Sequence, residues 1–190
     1  MSETFLHRLL ILLAVLTVAA AIDKMVHAKQ ARRWKEYLVL LGGGGLFALF
    51  GFVHDQLTVT ISPAYYELGK GIFGEHQRVM AGLLGLQTGF VAGVILTGVF
   101  LVTANWPLKP ATIFRYLRLL AICAGVCALI GSVAGVFLLP NAWIDYYAPT
   151  VDEEPRFRLV MGEHYGVYLG AVVGCLGHVW KSYATRKSAL

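Results

Sequence analysis

Charge is scarce in this chain. Only 14% of its 190 residues are Asp, Glu, Lys or Arg, against 57% hydrophobic residues, where a soluble domain carries roughly 25% charged residues. A water-facing surface is built from charges, so the shortage excludes an ordinary soluble domain. Cysteine is scarcer still. Cys123, Cys127 and Cys175 all lie inside apolar runs, which excludes the disulfide framework of a small secreted domain. Cys123 and Cys127 share a helix face and read as small packing residues. Also missing are a Gly-rich phosphate loop, a Ser-His-Asp arrangement and any nucleic-acid motif. The formal charge of +5 does not call for nucleic acid as a partner, because the basic residues cluster beside the apolar runs, where membrane topology places them.

Long apolar runs are present instead. Five segments, 5–22, 37–54, 79–103, 113–139 and 162–180, have the length of a membrane crossing, about 20 helical residues. The six prolines lie between the last four of them. The expected fold is an all-α, polytopic transmembrane helical bundle forming one domain over 1–190. Four helices make its core and an N-terminal helix joins them. The linker with Lys24, Lys29, Arg32, Arg33 and Lys35, the linker with Lys109, Arg115 and Arg118, and the tail with Lys181, Arg186 and Lys187 hold most of the basic residues. Five crossings put all three stretches on one side, which the positive-inside rule makes cytoplasmic. The loops rich in Asp and Glu then face out. Arg8 followed by an apolar stretch ending Ala19-Ala20-Ala21 resembles a signal peptide. Cleavage there would strand a basic linker outside, so an uncleaved first helix with its N-terminus outside is expected, an interfacial or re-entrant helix being the alternative.

Lipid gives no apolar drive for helices to associate, and small residues supply close approach instead. Gly162, Gly166, Gly170 and Gly174 form one face of the last segment, and Gly85, Gly89 and Gly93 one face of the third. Gly42 to Gly45 open the second, and the fourth has Gly125, Gly131, Ser132 and Gly135. These faces predict tight helix packing, with a smooth path for a small solute as the other reading. An echo also stands out. Gly74-Glu75-His76 precedes the third segment and Gly162-Glu163-His164 opens the fifth. Asp55 with Tyr65-Tyr66 finds a looser match in Asp145 with Tyr146-Tyr147. The pattern suggests two helix pairs of one orientation, related as a parallel repeat.

The repeat would gather polar groups near the outer helix ends. His54, Asp55, Glu75, His76, Asp145, Glu163 and His164 form this candidate metal-ligating constellation. Imidazole with carboxylate suits a divalent metal ion such as Zn, Mn, Fe or Cu. It also suits acid–base work or proton relay. Structural orientation of the helices would use the same groups, and Glu75 and Glu163 in a first turn would complement a helix dipole. His76 and His164, facing each other, would suit a bis-histidine haem. Residues 57–66 alternate apolar and polar at first, which predicts a short extended segment or an interfacial cap. Tyr65, Tyr66, Trp143, Tyr146 and Tyr147 fit an outer aromatic belt or a lid.

Residues 54–71, His-Asp-Gln-Leu-Thr-Val-Thr-Ile-Ser-Pro-Ala-Tyr-Tyr-Glu-Leu-Gly-Lys-Gly, resemble a segment in a group of uncharacterised bacterial membrane proteins. There an Asp-Gln-x-Thr stretch is followed by Ser-Pro-Glu-Tyr-Phe and Gly-Lys-Gly. Arg32-Arg33-Trp34 and Glu36-Tyr37 are similar as well. This chain has Ala64 and Tyr66 where the group tends to have Glu and Phe, with Glu67 close by. The resemblance implies a bacterial inner-membrane protein with a functional outer loop, and it implies no activity. Three functions are therefore in view. One is binding or translocation of a cation, proton or small solute at an outward His–carboxylate site. The second is a metal-dependent membrane enzyme. The third is an accessory or assembly subunit with a membrane-protein partner or a second copy of itself.

Overall fold

The computed structural model describes residues 3–104, 107–140 and 154–187, with Glu3 and Thr4 described by their backbone alone. The described residues are all-α, 91% of them helical, with no strand among them. The helices are α1 (Glu3–His27), α2 (Arg33–Ile61), α3 (Gln77–Thr103), α4 (Pro110–Leu138) and α5 (Glu154–Lys187). A 3₁₀ turn, Ala28–Gln30, joins α1 to α2, and a wider π turn, Tyr65–Gly69, follows α2. Five helices are long and apolar enough to cross a membrane, as the sequence predicts. Their large side chains, among them Leu10, Val15, Leu49, Leu129 and Phe137, are exposed. In lipid such a surface is a solvated one.

Two helices outrun their apolar segments. α2 continues through Ile61, so His54-Asp55-Gln56 lies inside it rather than at its end. The alternating Leu57-Thr58-Val59-Thr60-Ile61 is helical and not extended. The helix satisfies Thr60 locally, its Oγ1 donating to Gln56 O at 2.8 Å, and Val59 and Thr58 are buried. α5 begins at Glu154. Pro155, read from sequence as a break, sits in its first turn, where a missing N–H costs nothing. Glu154 occupies the dipole-complementing turn, and Glu163 lies deep in the helix.

The chain forms two compact units. The first comprises Met1–Asp55 and Gly82–Leu101, the second Gln56–Ala81 and Val102–Leu190. In the first, α2 and α3 run antiparallel along a glycine seam. A methyl group on Gly51 would collide with the Gly85 carbonyl, one on Gly89 with the Phe47 carbonyl, and one on Gly93 with Gly43. Phe5 of α1 meets Phe90 of α3 edge to face, ring centroids 6.0 Å apart. In the second unit α4 and α5 are antiparallel in the same manner. There Gly162 opposes the Gly131 carbonyl, Gly166 that of Cys127, and Gly170 that of Cys123. Gly42, Gly45 and Gly125 face open space and take no part.

The seams share one register. Gly51–Gly85, Phe47–Gly89 and Gly43–Gly93 match Gly131–Gly162, Cys127–Gly166 and Cys123–Gly170 pair by pair. In that register Glu163 and His164 correspond to Leu86 and Gln87. The Gly-Glu-His echo sets them against Glu75 and His76, about three helical turns away. The packing therefore repeats, and the tripeptide is not its marker.

The turn between α1 and α2 is closed by Asp23. Its Oδ2 accepts the backbone N–H groups of Arg32 and Arg33, each at 2.9 Å, and its Oδ1 lies 2.9 Å from His27 Nδ1. A side chain of α1 thus caps α2, whose first N–H groups have no partner within the helix. Asp23→Ala should loosen the start of α2, as loss of an N-cap does. Hydrogen exchange by mass spectrometry should show faster exchange at Arg32 and Arg33, with α4 and α5 unchanged.

Candidate functional site

Along α2 the seam positions Gly43, Phe47 and Gly51 recur every four residues, and Asp55 is the next. Asp55 therefore lies on the seam face of the first unit, against Gly85, where an added methyl carbon would stand 2.8 Å from its carboxyl carbon. His54 turns its ring onto Asp55, Nδ1 to Oδ1 3.0 Å, and stacks at a tilt on Phe50, centroids 5.6 Å apart. A carboxylate only accepts, so Nδ1 carries the hydrogen, and in the neutral ring Nε2 has the lone pair.

The second unit holds a deeper histidine. His164 of α5 is 4% exposed. Its Nδ1 lies 2.9 Å from the Val160 carbonyl one turn back and 3.3 Å from Glu163 Oε2. A carbonyl cannot donate, so Nδ1–H is the donor, and in the neutral ring Nε2 bears the lone pair. The Val160 carbonyl thereby orients the ring, with Glu163 Oε2 beside the same nitrogen.

Aromatic rings surround His164. Tyr65 lies 4.8 Å from it between centroids, Tyr66 6.3 Å and Tyr168 6.4 Å. The first two arrive from the chain that follows α2. Ser62 ends that helix, and its Oγ accepts the Tyr65 N–H at 3.2 Å. The π turn then carries Tyr65 and Tyr66 inward, where they join Val59, Ala64, Ala81, Phe157, Val160 and Met161 in one apolar cluster. Tyr66 is fully buried, and its hydroxyl lies 2.7 Å from Thr58 Oγ1. Gly71 and Gly74, with φ of +67° and +91°, turn the chain back toward α3 in a conformation that L side chains rarely adopt. Gln77 fastens the return by donating to Pro63 O at 2.9 Å.

Several expectations change here. Tyr65 and Tyr66 are no interfacial belt, being buried against α5. Glu75 and His76 are exposed in the turn before α3. Among the described residues neither joins a group of three potential ligand side chains, and an exposed His76 does not oppose the buried His164 as a haem would need. His54 with Asp55, and Glu163 with His164, are each brought together as neighbours. Asp145, Trp143, Tyr146 and Tyr147 lie outside the described residues. Sequence reading missed Tyr168, one turn beyond His164, and Arg158. The buried Arg158 guanidinium binds Glu154 at 2.8 and 2.6 Å and the Leu139 carbonyl at 2.5 Å, satisfying a carbonyl just past the end of α4. The Glu154/Arg158 spacing of four was its only sequence signal.

The Thr58–Tyr66 bond fastens the aromatic roof. A double-mutant cycle of Thr58→Val and Tyr66→Phe, read by thermal unfolding in detergent, should give a coupling of about 0.5–1.5 kcal/mol, and additive losses would contradict the bond. No protein-family model matches this chain, and neither a curated protein nor a solved structure does.

Proposed function

We propose that this membrane protein binds a divalent cation through the imidazole Nε2 of His164 in its His164–Glu163 pair. The observation that carries the reading is the hydrogen bond from His164 Nδ1 to the Val160 carbonyl. A metal-ligating histidine donates its other ring N–H to a carboxylate or a backbone carbonyl, which orients the ring and raises its basicity. His164 does so toward Val160 O, with Glu163 Oε2 3.3 Å from the same nitrogen. Imidazole and carboxylate together favour a transition metal or zinc over calcium. The basic stretches 23–36 and 104–118 and the tail would face the cytoplasm of a bacterial inner membrane, by the positive-inside rule. The aromatic roof of Tyr65 and Tyr66 then belongs to the outward side.

Metal content tests this. The protein is loaded with zinc or manganese, freed of unbound ion by gel filtration and measured by elemental mass spectrometry. Wild type should retain about one ion per chain and release it on acidification, as imidazole ligands protonate. His164→Ala, and Glu163→Gln with its shape kept, should lose the ion, while His178→Ala should keep it. An ion-free wild type, or equal retention in His164→Ala, would overturn the reading.

A further inference from the structure

The α1–α2 turn carries charge that cation binding does not use. Lys24, Lys29, Arg32, Arg33 and Lys35 are all exposed there. Asp23 and Glu36 are the only carboxylates in that stretch, and both are engaged. Asp23 holds the Arg32 and Arg33 N–H groups. Glu36 lies between two guanidiniums, 3.2 Å from Arg32 Nε and 3.0 Å from Arg33 Nη1. Five cations against two carboxylates leave the turn strongly positive. Lys24 and Lys29 enter no ion pair among the described residues.

Position and company say what balances this charge. The turn directly follows the apolar stretch that ends at Ile22 and precedes the one that begins near Leu38, at the depth of lipid headgroups. Trp34 is 44% exposed beside it, and Lys35 Nζ stands 5.4 Å over the indole. Tryptophan prefers the headgroup boundary, and clustered lysines beside a crossing helix attract anionic lipid. Asp23 and the 3₁₀ turn keep the five cations on one tight connection between the two helices. We propose that the α1–α2 turn is a binding site for anionic phospholipid, whose phosphate is held by Lys24, Lys29 and Lys35 while Trp34 meets the glycerol and upper acyl region. This stands apart from the cation proposal and uses none of its residues.

Native mass spectrometry of the full chain in mild detergent, with equal phosphatidylglycerol and phosphatidylcholine, tests it. Wild type should retain phosphatidylglycerol in preference. The triple variant Lys24→Gln, Lys29→Gln, Lys35→Gln should lose that preference by about 10- to 100-fold, with helicity by circular dichroism unchanged. A control with Lys109→Gln, Lys181→Gln and Lys187→Gln should keep it. Equal retention of both lipids by wild type, an unchanged preference in the triple variant, or an equal loss in the control would each overturn the site. Displacement of the lipid by millimolar inorganic phosphate would do so too, by showing a site for free phosphate.

Discussion

Backbone-to-backbone contact between paired helices is the constraint on which the rest of this structure depends. Where glycine faces a carbonyl, its Cα hydrogens point at that oxygen, and such contacts are worth about 0.5–1 kcal/mol each. Dispersion between surfaces this close adds to them. Lipid offers no apolar drive to replace either. Glycine in a helix costs about 1 kcal/mol relative to alanine, so runs of it at Gly162, Gly166 and Gly170 persist against propensity. Their return is the seam itself.

The seam also decides where polar groups can go. Hydrocarbon cannot satisfy a hydrogen bond, so a polar side chain within such a chain must find its partners in the protein. Asp55 continues the seam face and rests on Gly85, which has no side chain to exclude it. Thr58 meets Tyr66, Arg158 meets Glu154 and the end of α4, and His164 meets Val160 and Glu163. Among the described residues no buried side-chain nitrogen or oxygen lacks a partner. The large apolar side chains point the other way, into lipid. In both units the polar chemistry thus follows from the packing.

Much of this was legible in the sequence, and the failures have physical causes. Apolar run length reports transfer into hydrocarbon, so all five helices were readable. Glycine at every fourth position reports a face, so Gly85, Gly89 and Gly93 were readable as a contact. The register was not. The Gly-Glu-His echo is a tripeptide of side chains, whereas the packing repeats through carbonyls at Phe47 and Cys127 that have no sequence signature. Hydropathy also cannot say where a helix outlasts its apolar stretch, which is why the ends at Ile61 and Glu154 were missed. Tyr65 and Tyr66 suit a belt by composition, and only the π turn shows that they bury against His164. His164 is a candidate by sequence, but its orienting Val160 carbonyl belongs to the backbone and leaves no signal there.

A glycine-to-alanine series along α4 and α5 tests the seam most directly, with unfolding free energies measured in bilayers or micelles. Gly162→Ala, Gly166→Ala and Gly170→Ala should each destabilise by about 1–3 kcal/mol, the cost of overpacking. Gly125→Ala faces open space and Gly177→Ala finds its nearest neighbour at 3.9 Å, so both should be neutral or gain helix propensity. Equal effects at all five positions would contradict the seam and leave these glycines without a packing role.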